Sequence, residues 1–176
     1  VGGILGAKQI GKSNRDPNLI CTDVGGTSFD VGLIRNGAWE IEDFPVLEQF
    51  TFRVPKVLVK SIGSGGGSII WLDDMGILRV GPESAGSHPG PACYNQGGAQ
   101  PTVTDADVVL GYINPDTFHG GRLKLNKDLA VKAIQEGVAA PLGVSVEEAA
   151  LLAKRVVDAG MGGEIFYKIK SLNGTI

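Results

Sequence analysis

The pattern of apolar residues changes once along this chain, and that change limits its fold more than any other feature. Residues 19–80 carry short apolar or alternating runs between turn residues, a pattern that predicts β-strands and hairpins. Residues 81–100 are rich in Gly, Pro and Ser and predict an ordered loop. From about residue 104 onward, apolar residues recur at helical spacing. The chain is therefore expected to have an α/β fold in which most helices follow the strands.

Several strands are predicted from apolar runs and from the turns that separate them. "LICTDV" is followed closely by "FDVGLI", so these two runs are expected to be adjacent antiparallel strands. Asn36-Gly37 is typical of a type I′ turn and predicts that "AWEIEDF" returns beside the second strand. The other predicted strands are "VPKVLVKSI" and the runs "SIIWL" and "ILRV", which flank a second candidate turn, "DDMG".

Three helices are predicted in the last part of the chain. A short one is expected to begin near Thr104. The next has Asn126 as its N-cap residue and Gly137 as its end. Ser145 and Glu148 form a capping box, S-x-x-E, which predicts the start of the longest helix.

The segment "GAKQIGKS", residues 6–13, fits the P-loop pattern G-x-x-x-x-G-K-[ST], in which backbone N–H groups and a Lys bind phosphate. A P-loop needs a buried strand before it and a helix after it. The preceding "VGGIL" is too short and too rich in glycine for such a strand, and Pro17 prevents a continuing helix. We predict instead a helix over residues 2–10, capped at Gly11, with the two following residues in a connecting loop. The P-loop match is interpreted as accidental.

A second glycine-rich segment, "TDVGGTSFD", has the features of a phosphate-binding hairpin. Gly25 and Gly26 permit φ values that other residues avoid and let the backbone approach a ligand closely. Successive N–H groups from Gly25 to Ser28 are expected to form an anion-binding nest, to which the hydroxyls of Thr27 and Ser28 would add donors. Because the second strand begins at once, a β-hairpin rather than a helix N-terminus would hold the phosphate.

Asp23 lies at the end of the first strand of this hairpin, where its carboxylate would hold a Mg²⁺ ion or a water bound to that ion. Asp30 is expected to support the hairpin. An ordinary hairpin, in which Asp23 caps its own turn, explains the spacing equally well. The residues themselves therefore leave both interpretations open.

Charge and cysteine content exclude some classes of partner. Lys plus Arg number 16 and Asp plus Glu number 19, a net charge of −3, so no basic surface indicates a nucleic acid or an anionic membrane. The apolar runs are too short to span a bilayer. The two cysteines, Cys21 and Cys93, give no disulfide framework, which fits a reducing cytoplasm.

Other groups of residues favour structural roles. Residues 63–68, "GSGGGS", do not fit the dinucleotide-binding pattern G-x-G-x-x-G and would form either the substrate side of a cleft or a close-packed turn. Asp105 and Asp107 resemble a carboxylate pair, but helix capping in this segment is the better interpretation. His88 and Cys93 are too few ligands for a zinc site.

The longer sequence context resembles the hydantoinase/oxoprolinase family. The segment "CTDVGGTSFDVGLI" is similar to the phosphate-binding hairpin of that family, D-x-G-G-T-[ST]-x-D-V. The resemblance continues through "SIGSGGGSI", "LRVGPESAGSHPGPACY", "PTVTDADVVLGYINPDTFHGGRLKL" and "APLGVSVEEAA". The Phe29 variant of the hairpin is most like acetone carboxylase β subunits, whereas "PGPACY" and "GSGGGS" are more like hydantoinases, so the branch stays open.

This resemblance implies a fold and an activity. The family belongs to the actin-like, sugar kinase and Hsp70 ATPase superfamily, so the chain would be a fragment of an actin-like ATPase lobe. Family enzymes use ATP and Mg²⁺ to phosphorylate a carbonyl or amide oxygen, which drives hydrolysis of a cyclic amide such as hydantoin or 5-oxoproline, or carboxylation of a ketone. Carried over by motif, Asp23, Gly25, Gly26, Thr27 and Ser28 would bind the nucleotide phosphates and the metal, with Asp23 as the catalytic residue.

The resemblance also implies missing segments and partners. Residues 1–176 would be a single partial domain from the centre of a hydantoinase A type subunit, because the first phosphate hairpin of the family lies upstream and its adenosine-binding loop lies downstream. A subunit of the hydantoinase B type is the expected partner, and exposed apolar surface would favour a homodimer. The alternative function is a non-catalytic assembly module that binds partner subunits.

Overall fold

The computed structural model of this chain describes residues 2–172, which form a mixed helix and strand protein. Its α-helices are α1 (Gly2–Asn14), α2 (Val103–Val109), α3 (Lys127–Ile134), α4 (Ala140–Leu142) and α5 (Val146–Leu172). Its strands are β1 (Leu19–Val24), β2 (Phe29–Arg35), β3 (Ala38–Trp39), β4 (Ile41–Glu42), β5 (Val46–Leu47), β6 (Phe50–Thr51), β7 (Lys56–Val57), β8 (Val59–Ile62), β9 (Ser68–Leu72) and β10 (Leu78–Ser84). Val1 and residues 173–176 lie outside the described residues.

Contacts divide the described residues into two compact units. Unit 1 contains residues 2–23, 30–61 and 164–172, and unit 2 contains residues 24–29 and 62–163. The turn between β1 and β2 thus belongs to unit 2, while most of both strands belongs to unit 1.

Unit 1 contains a sheet in which β2 pairs with β1, β3 and β8. Residues 31–34 of β2 are buried, as is Ile4 of α1, so this strand supplies much of the apolar interior of the unit. The predicted type I′ turn is confirmed, because Asn36 and Gly37 both have positive φ and β2 pairs antiparallel with β3. The predicted strand "AWEIEDF" is instead divided into β3 and β4, and β4 pairs with β7 in a separate two-stranded sheet.

Helix α1 shows that the P-loop match is accidental and corrects where the helix ends. Residues 6–13 all lie within the helix, and no strand precedes them in the described part of the chain. The prediction of a cap at Gly11, with Lys12 and Ser13 in a loop, is wrong, because the helix continues through both residues. Gly11 is buried, and a Cβ there would lie 2.6 Å from Leu19 Cδ1. Close packing, and not helix termination, therefore explains this glycine.

In unit 2, β9 and β10 form an antiparallel hairpin, which confirms the second predicted turn. The carboxylate of Asp73 accepts hydrogen bonds from the N–H groups of Met75 and Ile77 and from Arg79 Nε. These bonds, the one from Ile77 foremost, lower the pKa of the Asp73 carboxyl. Strand β10 extends to Ser84, so the Gly, Pro and Ser-rich loop begins later than predicted.

The later helices confirm two predicted N-caps and correct one predicted end. Asn126 Oδ1 accepts a hydrogen bond from the N–H of Leu129, and Ser145 Oγ accepts one from the N–H of Glu148. The prediction that a helix ends at Gly137 is wrong, because the chain continues from α3 through a π-helical turn into α4.

One apolar cluster holds unit 2 together and fixes α2 against its neighbours. Its buried members come from β9, α2, α3, α5 and the segments between them: Ile70, Cys93, Ala106, Val108, Val109, Leu125, Ala130, Ile134, Val138, Ala139, Ala149, Ala150 and Ala153. Small alanines on α5 let the helices approach closely, so α2 is held on several sides.

Across residues 2–172, no single helix has both the length and the apolar character needed to cross a membrane. Only the segments Lys127–Leu142 and Val146–Lys170, taken together as a bent pair, meet those criteria.

Candidate functional site

The turn between β1 and β2 is closed by one backbone hydrogen bond and leaves three N–H groups unpaired. The N–H of Gly25 donates to the carbonyl oxygen of Ser28 at 2.8 Å. The N–H groups of Gly26, Thr27 and Ser28, and the hydroxyls of Thr27 and Ser28, donate to no group in the described part of the chain. Gly25 therefore uses its N–H inside the turn and is not one of the free donors.

Only residues 25–28 link the paired strands, too few for a parallel crossover, so β1 and β2 are antiparallel as predicted.

Residues 63–68 lie directly beside this turn and fix its peptide groups. The N–H of Gly66 donates to the carbonyl oxygen of Gly25 at 3.0 Å, and that of Gly67 donates to Gly26 at 2.6 Å. In a trans peptide group, the C=O and N–H bonds point in opposite directions. Because the carbonyls of Gly25 and Gly26 point toward residues 63–68, the N–H groups of Gly26 and Thr27 point away from that segment.

Contacts inside the protein account for the glycines of this neighbouring segment. A Cβ on Gly65 would lie 2.7 Å from the carbonyl oxygen of Gly25 and 2.7 Å from the nitrogen of Thr27. A Cβ on Gly67 would lie 2.9 Å from the carbonyl oxygen of Gly26. A side chain at either position would displace backbone atoms of the turn. Of the two interpretations of "GSGGGS", the geometry favours the close-packed turn.

The glycines of the hairpin turn have no such internal explanation. A Cβ on Gly26 would meet no atom within 4 Å, and one on Gly25 would meet only the carbonyl oxygen of Ser28, at 3.5 Å. The expectation that these glycines use unusual φ values is wrong, since neither has a φ between +20° and +160°. The open space around Gly26 lies on an exposed surface and leaves room for a ligand to approach the backbone closely.

Asp23 and Asp30 line the same cavity in unit 1, with a volume of about 340 Å³. Counting back from the Gly25–Ser28 hydrogen bond along antiparallel strands puts these two carboxylates opposite each other. Asp23 is exposed and Asp30 half-buried, and neither makes an ion pair or side-chain hydrogen bond within residues 2–172. Asp30 thus lies beside Asp23 and not in a hydrogen bond that supports the hairpin. Cys21 lines the same cavity, and burial raises the pKa of its thiol.

Asp105 is a buried carboxylate that fixes the start of α2, which confirms helix capping in this segment. It is the third helical residue and accepts hydrogen bonds from the N–H and the hydroxyl of Thr102. It also accepts from the N–H groups of Ala92 and Cys93, at 3.2 and 2.7 Å. The N-cap residue is Thr102, slightly before the predicted start of the helix.

Asp107 has a different environment, so the two aspartates do not act as a pair. Its Oδ1 is buried without a hydrogen-bond partner among the described residues, and burial raises the pKa of its carboxyl, partly opposed by nearby Lys154. Lys154 Nζ donates to Asp158 Oδ1 at 2.6 Å. Asp107 therefore faces a small charged cluster on α5.

The segment around His88 and Cys93 has no geometry for a metal ion. His88 is exposed, whereas Cys93 is fully buried, and burial together with the charge of Asp105 raises the pKa of its thiol. Across the described ranges, no three His, Cys, Asp or Glu side chains lie close enough together to hold a metal ion.

Sequence reasoning missed Thr104, which contacts the support of the turn. Its N–H and its Oγ1 both donate to the carbonyl oxygen of Gly66, at 2.7 and 2.8 Å. These residues are 38 positions apart, and no local pattern in the sequence indicates the contact. The position of Asp30 opposite Asp23, in contrast, follows from the hairpin register and was accessible from the sequence.

Comparison with known proteins now identifies the family. The sequence model of the hydantoinase/oxoprolinase family matches residues 1–171. The chain belongs to the hydantoinase/oxoprolinase family. Its relatives include the acetophenone carboxylase gamma subunit of Aromatoleum aromaticum, 50% identical over 167 residues, and the caprolactamase subunit alpha of Pseudomonas jessenii, 47% identical over 134 residues. These alignments cover 94% and 76% of this chain but 23% and 19% of the relatives, so the chain spans about a quarter or less of their length.

Two solved structures confirm the predicted fold class. A nucleotide-free structure of acetone carboxylase matches with a TM-score of 0.84 and 40% identity, over 90% of this chain and 22% of that one. The ATP-dependent caprolactamase of Pseudomonas jessenii matches with a TM-score of 0.78 and 41% identity, over 88% of this chain and 22% of that one. This mixed helix and strand fold is the one expected for a fragment of an actin-like ATPase lobe.

Proposed function

We propose that this chain is the phosphate-binding part of an ATP-dependent enzyme subunit that phosphorylates a carbonyl or amide oxygen. The observation that carries the proposal is the turn at residues 25–28, where three N–H groups and two hydroxyls have no partner among the described residues and Gly26 has open space around it. The ATP-dependent relatives act on acetone and on caprolactam, and both molecules contain a carbonyl group.

The turn would bind the phosphates of the nucleotide. The N–H groups of Gly26, Thr27 and Ser28 and the two hydroxyls are the donors, while Gly25 closes the turn. Phosphoryl transfer depends mainly on positioning and on stabilisation of charge, and preorganised N–H donors supply both. Absence of a side chain at Gly26 leaves room for a phosphate to approach the backbone.

Asp23 is proposed as the residue that holds Mg²⁺, with Asp30 as a second oxygen ligand or as a partner for metal-bound water. Both carboxylates line one cavity, and neither is engaged by another described residue. Carboxylate oxygens are ligands that Mg²⁺ prefers. A bound Mg²⁺ would neutralise phosphate charge. Asp23 is joined to the turn through the chain itself, two residues before Gly25.

The substrate is proposed to be a small ketone or a cyclic amide. Transfer of the γ-phosphoryl group from ATP to the oxygen of a cyclic amide would give ADP and an O-phosphorylated imidate, to which water can add. Loss of the ring nitrogen as the amine then breaks the C–N bond, and hydrolysis of the resulting acyl phosphate releases the carboxylate and phosphate. Transfer to the oxygen of a ketone enolate gives a phosphorylated enol that can be carboxylated. The relatives include both a carboxylase and a lactamase, so both substrates remain within the proposal.

We further propose that the chain works within a longer cytoplasmic subunit that assembles with a partner of the hydantoinase B type. The relatives are named as alpha, beta and gamma subunits, which supports an assembly of several chains. Unit 1 exposes a set of large apolar side chains that would pair in a homodimer or pack against a partner: Phe44, Val46, Phe50, Phe52 and Val54. One turn encloses a triphosphate on one side only, so the 176-residue chain alone should bind MgATP weakly.

Steady-state ATP hydrolysis by the complete subunit tests this function, with hydantoin, 5-oxoproline, caprolactam and acetone as acceptors. We expect Asp23→Asn to lower kcat by about 100-fold, because a ligand for charge neutralisation is lost. Asp74→Asn is the matched control, since Asp74 is an exposed aspartate in a β-turn. Wild-type hydrolysis by the Asp23→Asn variant would contradict the proposal, and loss of subunit assembly without any change in hydrolysis would favour the assembly module.

A further inference from the structure

We propose that Thr104 is a positioning residue for the phosphate-binding turn and acts on it through a single peptide group. The proposal rests on the function proposed above for residues 25–28. The peptide group in question joins Gly66 to Gly67. Its carbonyl oxygen accepts from Thr104, and its N–H donates to the turn.

Both the carbonyl and the N–H of this peptide group make short hydrogen bonds. Thr104 donates twice to the carbonyl oxygen of Gly66, from its N–H at 2.7 Å and from its Oγ1 at 2.8 Å. The N–H of the same peptide group, on Gly67, donates to the carbonyl oxygen of Gly26 at 2.6 Å. Hydrogen bonds accepted at a carbonyl polarise the peptide group and strengthen its N–H as a donor. Thr104 therefore strengthens the bond that holds Gly26.

The next peptide group carries the effect to a phosphate donor. The carbonyl of Gly26 and the N–H of Thr27 belong to one planar trans peptide group, so fixing the carbonyl also fixes the direction of the N–H. The N–H of Thr27 is one of the three donors without a partner in the described chain. The path from Thr104 to a proposed phosphate ligand thus consists of two peptide groups and the hydrogen bonds between them.

Thr104 is itself held on a fixed element. It is 5% exposed and lies between Thr102, the N-cap residue of α2, and Asp105. The Asp105 carboxylate accepts four hydrogen bonds, of which two tie the start of α2 to residues 92–93 and two come from Thr102. The hydroxyl of Thr104 therefore cannot follow the turn if the turn moves, which is the property that a positioning residue requires.

A purely structural role for the Thr104 hydroxyl is the competing explanation, and Ser145 offers a matched control. Ser145 Oγ also makes one hydrogen bond to the backbone near a helix start, to the N–H of Glu148 at 3.1 Å. Its bond stabilises α5 and contacts neither the turn nor residues 63–68. Thr104→Val and Ser145→Ala each remove one hydroxyl, so thermal unfolding should show similar small losses of stability.

Amide NMR spectra of this chain separate the two explanations. We expect Thr104→Val to shift the amide resonances of residues 26–28 and 67, whereas Thr104→Ser and Ser145→Ala leave them unchanged. In the complete subunit, Thr104→Val should lower kcat/KM for MgATP by about fivefold, the effect of one hydrogen bond, and Thr104→Ser should restore it. Unshifted turn amides in Thr104→Val would overturn the positioning role. Shifted amides with unchanged kinetics in both Thr104→Val and Asp23→Asn would instead contradict the phosphate-binding function.

A double-mutant cycle with Gly66 provides a second measurement if Thr104→Val unfolds. A Cβ on Gly66 would lie 2.8 Å from Thr104 Oγ1, so Gly66→Ala alone pushes the two apart. Removing that oxygen makes room for the methyl group. We expect Gly66→Ala combined with Thr104→Ala to melt at a higher temperature than the sum of the single changes predicts. Additive changes would show that the two residues are not coupled and would overturn the proposal.

Discussion

The chain contains two neighbouring glycine-rich segments whose glycines exist for different reasons. In residues 63–68, a Cβ on Gly65 would collide with the backbone of the hairpin turn at 2.7 Å. In the turn, a Cβ on Gly26 would meet no atom within 4 Å. The first segment needs glycine because the fold is close-packed there, whereas the second has glycine where the protein leaves a surface open.

This difference distinguishes the two segments by the packing around their glycines. A glycine that is neither in a left-handed conformation nor in close internal contact costs backbone entropy on folding and returns nothing to the fold. Gly26 is such a residue, and its own N–H and those of Thr27 and Ser28 have no partner among the described residues. We therefore assign residues 63–68 to support of the turn and keep residues 25–28 as the proposed site of contact with phosphate.

The strongest test of the supporting role is Gly65→Ala. The added methyl group would lie 2.7 Å from two backbone atoms of the turn, which cannot yield as a flexible side chain would. We expect a loss of about 3 to 4 kcal/mol in the free energy of unfolding, measured by urea denaturation of this chain. Two other glycines are not useful controls. Gly98 is also tightly packed, and Gly97 has open space at its Cβ position but a positive φ. A Gly65→Ala variant as stable as the wild-type chain would remove the contrast between the two segments.

The second test changes Asp105, which fixes the start of α2, the helix that carries Thr104. Asp105 accepts four hydrogen bonds, and an amide in its place would direct an NH₂ group at backbone N–H donors. Asp105→Asn should therefore lower the free energy of unfolding by about 2 to 3 kcal/mol. Urea denaturation measures this loss, and Asp128→Asn, an exposed aspartate in the first turn of α3, is a control for removal of one charge. Equal stability of the two variants would mean that Asp105 does not anchor α2.

Local patterns in the sequence predicted the elements around both segments, but not what joins them. The hairpin strands, the turns at Asn36-Gly37 and Asp73–Gly76, and the N-caps Asn126 and Ser145 depend on neighbouring residues and are confirmed. Errors arose where packing overrides a local preference. Gly11 and Gly137 are helix breakers by propensity, yet each lies in a continuous helical stretch, Gly11 because Leu19 and Asp16 pack against it.

In the candidate site too, some features follow from neighbouring residues in the sequence and others from tertiary contacts. Asp23 and the turn residues follow from one contiguous motif, so the sequence alone is enough to name them as candidates. The hydrogen bonds from Gly66 and Gly67, and from Thr104 behind them, join segments about 40 residues apart along the chain. Those tertiary contacts fix the carbonyls of Gly25 and Gly26 and therefore the directions of the N–H groups that follow them. The error at Gly25 has a local cause, because its N–H closes the turn by donating to the carbonyl oxygen of Ser28.

The third test concerns the proposed binding role of Gly26. Because its φ is not left-handed and the space around it is open, Gly26→Ala should change the free energy of unfolding by less than about 1 kcal/mol. The methyl group would nevertheless occupy the space assigned to phosphate. We expect the KM of the complete subunit for MgATP to rise about tenfold or more, a loss of roughly 1.4 kcal/mol. An Ala variant with unchanged KM would show that this open surface does not bind the nucleotide.

The smallest expected effect is on the pH dependence of stability at Asp107, and it tests whether α2 is a rigid support for the turn. Burial raises the pKa of the Asp107 carboxyl, so protonation of Asp107 favours the folded chain. Its stabilising contribution is fully present below the ordinary pKa of an aspartate and is lost as the pH rises through the raised value. Asp107→Asn does not titrate and keeps Lys154 paired with Asp158. The variant should therefore gain stability relative to the wild-type chain between acid and neutral pH.

This gain should stay below about 1 kcal/mol, because the carboxyl is partly solvated and Lys154 offsets part of the cost of burying its charge. Urea denaturation at pH 3 to 7 measures the difference, with Asp128→Asn as the exposed control. Asp107 lies on the same short helix as Thr104, but faces α5. If α2 is rigid, the amide resonances of residues 26–28 should not follow the titration of Asp107. Parallel stability profiles for the wild-type chain and Asp107→Asn would contradict the raised pKa, and turn resonances that titrate with Asp107 would show that α2 transmits motion instead of resisting it.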